Sequence, residues 1–223
     1  FSWDGKDEAG NTVADGTYIL TLSSTDDAGN TGSASIKDIR VDNRSVKLFV
    51  TAERDAFSPN GDGFADNQQF SLRTTLNEGI EQWSFTVTNA DSGTVVFRRD
   101  GKAGEAIPSV VQWDGTGLDG RIAEGSMSAA LSVDYVKGDS LNVSTAPFIS
   151  SVTPPQLTVR TTPEYFSPDN DGVDDDLFIA LKGTSAVPFT GWSFEINDPN
   201  NGKNFWKTSG KSSITERIIW DGR

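Results

Sequence analysis

The chain has 223 residues, of which 32 are acidic, 19 are basic and none is cysteine or histidine, and its net charge is −13. A chain this acidic does not suit nucleic acid or anionic membrane surfaces as partners, because phosphates require basic patches. It suits a metal cation, which would relieve the repulsion between its carboxylates. The absence of imidazole and thiol groups excludes cysteine–histidine zinc sites, thiol nucleophiles and the Ser-His-Asp triad.

No run of apolar residues approaches the roughly 20 that a membrane span requires, so we expect no membrane insertion of this chain. The first residue is Phe1 rather than methionine. We therefore expect the chain to be part of a longer protein, with any signal peptide or anchor outside it.

Residues 1–45 predict a two-stranded hairpin that follows the tripeptide Trp3-Asp4-Gly5. Thr17–Leu22 alternates polar and apolar residues in the manner of a half-buried strand. Asp26–Asn30 has the composition of a hairpin turn. Ile36–Val41 belongs to the predicted return strand, and Asp42-Asn43 after it predicts a junction.

Residues 46–152 predict a complete unit of short strands separated by turns. The strand-like stretches are 46–50, 70–72, 83–87, 95–97, 110–113, 127–135 and 141–149. A second Trp-Asp-Gly tripeptide lies at Trp113-Asp114-Gly115. Thr153-Pro154-Pro155 interrupts strand pairing and predicts a second junction.

Residues 153–223 begin the same cycle again and end with a third tripeptide, Trp220-Asp221-Gly222. No segment of the chain has a sustained apolar period of 3.6 residues. The sequence therefore predicts an all-β chain of tandem Ig-like antiparallel β-sandwiches. Five tryptophans are predicted to be buried in these sandwiches: Trp3, Trp83, Trp113, Trp192 and Trp220. In the adjacent pair Phe205-Trp206 the two rings must face opposite ways, which predicts that one is exposed.

A repeat with a period of 109 residues supports this division. Phe57–Asp66 returns as Phe166–Asp175, and Trp83-Ser84-Phe85 returns as Trp192-Ser193-Phe194, without a gap between them. Gly93 and Gly101 return as Gly202 and Gly210 with the same offset. A repeat of this length is a whole domain rather than a solenoid or propeller unit.

The repeated motif has the spacing of a calcium loop, with oxygen-bearing residues at alternate positions and a glycine at the sixth. The predicted metal ligands of the first loop are Ser58, Asn60, Asp62, the carbonyl of Phe64, and Asp66. Those of the second loop are Ser167, Asp169, Asp171, the carbonyl of Val173, and Asp175. The cofactor that this pattern predicts is Ca²⁺.

Neither loop is an EF-hand, because its twelfth position holds Gln69 or Phe178 instead of glutamate and no helices flank it. A ligand from elsewhere, such as Asn67, Asp176 or a neighbouring loop, would have to close the site. The alternative is a turn that binds no ion, since Pro, Asn, Asp and Gly form turns unaided. We expect the loops to lie close to the junctions at Asp42-Asn43 and Thr153-Pro154, where a cation would stiffen the angle between domains.

The two outer segments predict self-association. If the complete unit spans residues 46–152, residues 1–45 form only the second half of a unit and residues 153–223 only the first half. Each half exposes strand edges and half a core. One hypothesis is that the head of one chain completes the tail of another, or of itself, by strand complementation. The alternative is that both ends are partly disordered.

Phe57–Asp66, followed by Trp113-Asp114-Gly115, Gly120 and Gly125, resembles the bacterial Ig-like domain of the flagellar hook-capping protein family. The acidic motif is similar to the opening of gliding-motility-associated C-terminal domains. Residues 1–45 resemble the second half of the same Ig-like domain, through Trp3-Asp4-Gly5, Asp15–Tyr18, Asp27–Asn30 and Val41–Asn43. The chain departs from the pattern at Ser126-Met127, where the family usually has an aromatic residue such as Tyr18. The resemblance implies scaffolds, stalks and anchors outside the cytoplasm rather than enzymes.

We therefore expect a non-enzymatic structural or adhesive module of an exported bacterial protein, in the periplasm, at the cell surface or secreted. Its expected partners are neighbouring Ig-like domains of the same parent chain. One alternative is a carbohydrate- or protein-binding module that uses Phe205-Trp206. Another is hydrolysis by paired carboxylates such as Asp174 with Asp176 or Asp26 with Asp27. Neighbouring acids in turns are usually solvated, which disfavours hydrolysis.

Overall fold

The computed structural model describes residues 2–223, and this range contains strands and turns but no helix. The range accordingly has no helix long and apolar enough to cross a membrane. Its strands are β1 (Gly16–Thr25), β2 (Thr31–Val41), β3 (Leu48–Ala52), β4 (Ala56–Phe57), β5 (Gln68–Thr74), β6 (Ile80–Asn89), β7 (Val95–Lys102), β8 (Val110–Trp113), β9 (Gly125–Tyr135), β10 (Ser140–Ser144), β11 (Phe148–Ser150), β12 (Gln156–Thr162), β13 (Leu177–Thr184), β14 (Trp192–Asn197), β15 (Asn204–Gly210) and β16 (Arg217–Trp220). The prediction of an all-β, essentially antiparallel chain is confirmed.

The head hairpin consists of β1 and β2, which pair antiparallel from Gly16 opposite Val41 to Thr25 opposite Thr31. Its turn is stabilised by Asp26, whose Oδ1 accepts the backbone N–H groups of Ala28 and Asn30 at 3.0 and 2.8 Å. A carboxylate that satisfies backbone donors in this way favours a tight turn. The hairpin forms where the sequence predicts it.

The middle unit is a sandwich of two sheets. One sheet has the strand order β3-β5-β8, and the other has the order β4-β11-β9-β6-β7 with β10 also paired to β9. All these pairs are antiparallel except β4 with β11, which is parallel. Alternating residues of both sheets meet in one core, in which Phe70, Phe85 and Leu131 have no solvent exposure.

The stretch from 141 to 149, predicted as one strand, is divided into β10 and β11. Between them lies Pro147, which has no backbone N–H to donate to a ladder. β10 pairs with one part of β9, and β11 pairs with another part, at Met127 and Gly125. The break lets the returning chain change its alignment on the same strand.

The tail unit has two smaller sheets, β12-β13-β16 and β14-β15. Its core contains Ile179, Leu181 and Ile218, against which Trp192 and Trp220 are only partly buried. The prediction that five tryptophans are buried is therefore correct for Trp83 and Trp113 in the middle unit and wrong for the other three. Trp3 is 37% exposed, and the tail tryptophans are half-buried.

The reason for this difference is the number of strands that cover each ring. In the middle unit β9, β10 and β11 lie over the core, whereas the part of the tail described by the structure has no strands in their place. The adjacent aromatics of β15 face opposite ways, as predicted. Phe205 is 54% exposed, and Trp206 packs against the tail core.

Candidate metal centre: two acidic loops

The two acidic loops have the same backbone conformation. The first has positive φ angles of 79° at Gly61, 87° at Gly63 and 54° at Ala65. The second has positive φ angles at the equivalent positions, which are Asn170 (68°), Gly172 (89°) and Asp174 (52°). Glycine and Asx residues enter this region at least cost. The alternation of left-handed residues winds each loop inward on itself.

In the first loop carboxylate and amide oxygens accept the inward-pointing N–H groups. Asp66 accepts from Gly61 at 2.7 Å with Oδ1 and from Gly63 at 2.8 Å with Oδ2. Asp62 Oδ1 accepts from Phe64 N–H at 2.8 Å, and its Oδ2 accepts from the side-chain amide of Asn60 at 3.0 Å. These bonds to the ionised form lower the pKa of Asp62, the bond from Phe64 having the largest effect.

The second loop repeats the backbone bonds with one more acid. Asp175 accepts from Asn170 and Gly172 at 2.6 and 2.8 Å, and Asp171 accepts from Val173 at 2.8 Å. Asp169 occupies the position of Asn60, so its side chain has no amide N–H to donate to Asp171. One carboxylate oxygen from each of Asp169, Asp171 and Asp175 lies within 4.8 Å of the other two.

The predicted ligand residues thus fall into two groups. Asp169, Asp171 and Asp175 come together, and Asn60, Asp62 and Asp66 occupy the same positions in the first loop. Ser167 Oγ donates to Asp169 at 3.2 Å, which places it at the edge of the acidic cluster. Phe64 and Val173, predicted to contribute carbonyls, are 77% and 65% exposed. Three inward-facing carboxylates are the oxygen donors that Ca²⁺ prefers.

Each loop is attached to its unit through the Trp-Asp-Gly tripeptide. The rings of Phe57 and Trp113 lie 5.5 Å apart, and a Cβ built on Gly115 would lie 2.5 Å from Pro59. The same contacts recur in the tail, where Phe166 and Trp220 are 5.5 Å apart and Gly222 approaches Pro168. The sequence analysis did not connect these two motifs. The signal was present, since both motifs recur together at nearly one period.

All three tripeptides form the same local turn. The indole N–H donates to the carbonyl three residues later, at 2.7 Å for Trp3, 2.8 Å for Trp113 and 2.9 Å for Trp220. The aspartate Oδ1 accepts a backbone N–H two residues later in each case. The glycine has a positive φ each time, 76° at Gly5 and 79° at Gly115. The turn brings a glycine without a side chain against the proline of the loop.

The first loop lies at the junction between the middle and tail units. Phe57, directly before the loop, accepts the N–H of Ser151 at 3.2 Å. Glu124 reinforces this junction by accepting from Val152 N–H at 3.1 Å and Thr153 Oγ1 at 3.2 Å. The second loop lies at the far end of the tail, because β12 and β13 pair from Gln156 opposite Thr184 to Thr162 opposite Phe178. The expected location beside a junction is thus correct for the first loop at Thr153 and wrong for the second loop, which is not at that junction.

The Asp42-Asn43 junction is instead held by ionic contacts at the opposite end of the middle unit. Arg44 Nη1 lies 2.9 Å from Glu78, and Arg44 Nη2 lies 2.8 Å from Asp42. Lys137 lies 4.0 Å from Asp42 and donates to the carbonyl of Arg44. The hydrogen bonds from Arg44, together with its charge and that of Lys137, lower the pKa of Asp42 to about 2. This junction is fixed by charge rather than by a metal loop.

No family model matches the chain, and no curated protein matches its sequence. Two solved structures are similar to it at low identity. Dimeric latent PorU from Porphyromonas gingivalis has 16% identity and a TM-score of 0.38 over 64% of this chain. The tetra-tandem repeat in the extending region of a large adhesion protein has 15% identity and a TM-score of 0.34 over 93% of this chain. The chain corresponds to 13% and 48% of the length of these two proteins.

Proposed function

We propose that residues 2–223 are a non-enzymatic structural or adhesive module of an exported bacterial protein, in which the acidic loops bind calcium and stiffen the array. The observation that carries the proposal is the repeated loop of identical backbone geometry, anchored through Phe57 and Pro59 to the core. A loop attached in this way transmits any stiffening to the sandwich rather than to a free segment. The absence of histidine and cysteine and the layered antiparallel strands support a mechanical role over a chemical one.

Calcium binding is supported most strongly at the second loop. Asp169 and Asp171 bring two negative charges together without the bridging amide that Asn60 supplies in the first loop. Like charges at this distance repel, and a divalent cation would remove that repulsion. At a calcium concentration about 30 times the dissociation constant, linkage stabilises the folded form by about 2 kcal/mol per site.

The test is thermal unfolding and isothermal titration of the chain with calcium and with chelator. We expect calcium to raise the melting temperature and heat to be released or absorbed as the sites fill. Asp169→Asn keeps the acceptor for Asp171 N–H but removes one charge. It should leave the melting temperature in chelator unchanged and reduce the calcium-induced rise.

Asp174→Asn is the matched control, because Asp174 belongs to the same loop but not to the cluster of Asp169, Asp171 and Asp175. Asparagine also tolerates the positive φ of 52° at this position. We expect this variant to keep the calcium response of the parent chain. An identical loss of response in both variants, or no response in the parent, would remove calcium from the proposal and leave the structural role.

A second candidate function is a carbohydrate- or protein-binding surface on β15. Phe205 is 54% exposed, and the Lys203 ammonium lies 5.6 Å from the centre of its ring. Exposed aromatic rings of this kind contribute to recognition surfaces. A glycan array with the parent chain and Phe205→Ala would test it, and signals that the substitution does not change would argue against Phe205 as the contact.

A further inference from the structure

The head hairpin has the strand register of the second half of the middle unit. In the middle unit Gly125 of β9 lies opposite Ser150 of β11. In the hairpin Gly16 of β1 lies opposite Val41 of β2. Both hairpin residues precede their counterparts by 109 positions, which is the period of the acidic motif. β1 is thus the equivalent of β9, and the end of β2 is the equivalent of β11.

The equivalent faces differ in what covers them. On β9 the inward residues Met127, Ala129 and Leu131 have no solvent exposure, because they fill the sandwich core. Their equivalents on β1 are Tyr18, Leu20 and Leu22. Leu20 is 43% exposed, Leu22 is 74% exposed, and Ile36 opposite Leu20 is 62% exposed. A contiguous apolar face of this kind indicates an interaction surface.

The tail unit has the complementary gap. β6 of the middle unit pairs with β7 on one edge and β9 on the other. Its equivalent β14 pairs with β15, and no second partner strand occurs among residues 2–223. The core residues Trp192 and Phe194 of β14 are half-buried for this reason. The missing element is a hairpin with the register of β9 and β11, which is the register of β1 and β2.

The hairpin and the tail of one chain lie at opposite ends of its middle unit. The hairpin is held at the end where Arg44 contacts Glu78. The tail leaves at the end where Ser151 contacts Phe57. The 11-residue strand β9 runs between these two ends and is about 35 Å long at 3.3 Å per residue. The short linkers at 42–47 and 151–155 do not bridge that length.

We propose that the β1–β2 hairpin of one copy pairs with β14 of a second copy and completes the tail sandwich of that copy. The two surfaces are different, so the contact is heterologous and extends into linear head-to-tail chains. The register of β6 with β9 gives the expected pairs: Leu20 opposite Ile196, Leu22 opposite Phe194, and Ser23 opposite Ser193. The hypothesis of strand complementation thereby acquires a direction and a register.

The same register places the second acidic loop at the new junction. Val41 is the equivalent of Ser150, which lies beside Phe57 and the first loop. Asp42 of the incoming copy would therefore lie beside Phe166 and the second loop of the receiving copy. Each acidic loop would then lie at a junction between sandwiches. The assembly itself does not require that the loops bind calcium, so the two proposals fail independently.

The first test is disulfide cross-linking, which is clean because the chain has no cysteine. Ser23→Cys chains mixed with Ser193→Cys chains under oxidising conditions should give a dimer on a non-reducing gel. Ser33→Cys is the matched control, since Ser33 lies opposite Ser23 on β2, one strand further from β14. Its Cα would lie about 9–10 Å from that of position 193, beyond the roughly 7 Å limit of a disulfide.

Equal cross-linking from positions 23 and 33, or none from either, would overturn the proposal. The double variant Ser23→Cys with Ser193→Cys separates assembly between copies from closure within one chain. We expect a ladder of multimers. A band of monomer mass whose mobility shifts on reduction would show closure within one chain and would also overturn the proposal.

The second test is light scattering of the full 223-residue chain over a range of concentrations. We expect the mean mass to rise with concentration in the parent chain. Leu22→Asp puts a charge on the face to be buried and should weaken association at least 100-fold, because a buried unpaired carboxylate is strongly unfavourable. Ile19→Asp, on the opposite face of the same strand and also exposed, should leave association unchanged. A monomer at all concentrations, or equal effects of the two substitutions, would contradict the proposal.

Discussion

The middle and tail units have the same motifs at the same spacing, yet only one of them has a full core. Trp83 and Phe85 of the middle unit are 5% and 0% exposed, whereas their equivalents Trp192 and Phe194 are half-buried. The acidic loops and the Trp-Asp-Gly turns, in contrast, are the same in both units. Local geometry therefore follows local sequence, and burial depends on the strands that other parts of the chain supply.

The largest expected effect breaks the core at equivalent positions in the two units. Phe85→Ala should lower the free energy of unfolding of the middle unit by about 3–5 kcal/mol, since it removes a ring with no solvent exposure. Phe194→Ala should cost clearly less, because its ring is still partly hydrated. The measurement is urea unfolding followed by tryptophan fluorescence, at a concentration where light scattering shows a monomer. Equal losses would mean that the tail core is closed in the monomer.

The next effect tests how the loop is attached to the sandwich. Gly115→Ala should lower the free energy of unfolding by about 2–4 kcal/mol, because it adds a Cβ against Pro59 and forces alanine into a positive φ. Gly120→Ala is the control, with a φ of 78° and no atom within 4 Å of the added Cβ. It should cost about 1–2 kcal/mol, and the difference isolates the contact with the loop.

If the two substitutions cost the same, Pro59 moves aside and the loop is not rigidly attached. In that case a cation in the loop could not stiffen the junction at Ser151. The tail offers the same comparison at Gly222, where the approach to Pro168 is 2.8 Å.

The strands and turns could be predicted from sequence because they depend on local patterns. Alternation identified β1, and Asx-Gly composition identified the turn at Asp26. The acidic loop was predicted as a candidate metal centre from its spacing alone. Prediction failed where the outcome depends on distant residues. Trp192 has the sequence context of Trp83, and its exposure is set by the strands that lie over it.

The contact of the Trp-Asp-Gly turn with the loop also joins distant parts of the chain. Trp113 follows Phe57 by 56 residues, and no local rule connects them. Pro147 was overlooked as the break between β10 and β11, although a proline inside a predicted strand is a local signal. The position of the second loop required the pairing direction of β12 and β13, which alternation does not give.

A smaller effect compares the two loops. Asn60→Asp gives the first loop the carboxylate that Asp169 supplies in the second, and we expect it to bind calcium roughly tenfold more tightly, because ligand charge tunes affinity. Isothermal titration of the two variants would measure it. Asn77→Asp, an exposed change of the same charge in a different turn, should leave the affinity unchanged. A similar gain from both would mean that overall charge rather than the loop attracts the cation.

The smallest effect concerns the head hairpin, which is joined to the middle unit by charges at the surface. The pKa of Asp42 is lowered from 3.8 to about 2, chiefly by its bonds with Arg44. A lowered pKa in the folded state means that the contact stabilises the fold fully above about pH 4 and is lost as the pH falls through about 2. Asp42→Asn should therefore lower the melting temperature slightly at pH 6 and have no effect near pH 2. Asp27→Asn, in the exposed turn of the same hairpin, should have no effect at either pH. Because exposed ion pairs contribute little, a large effect of Asp42→Asn would mean that the hairpin is coupled to the middle unit through more than these charges.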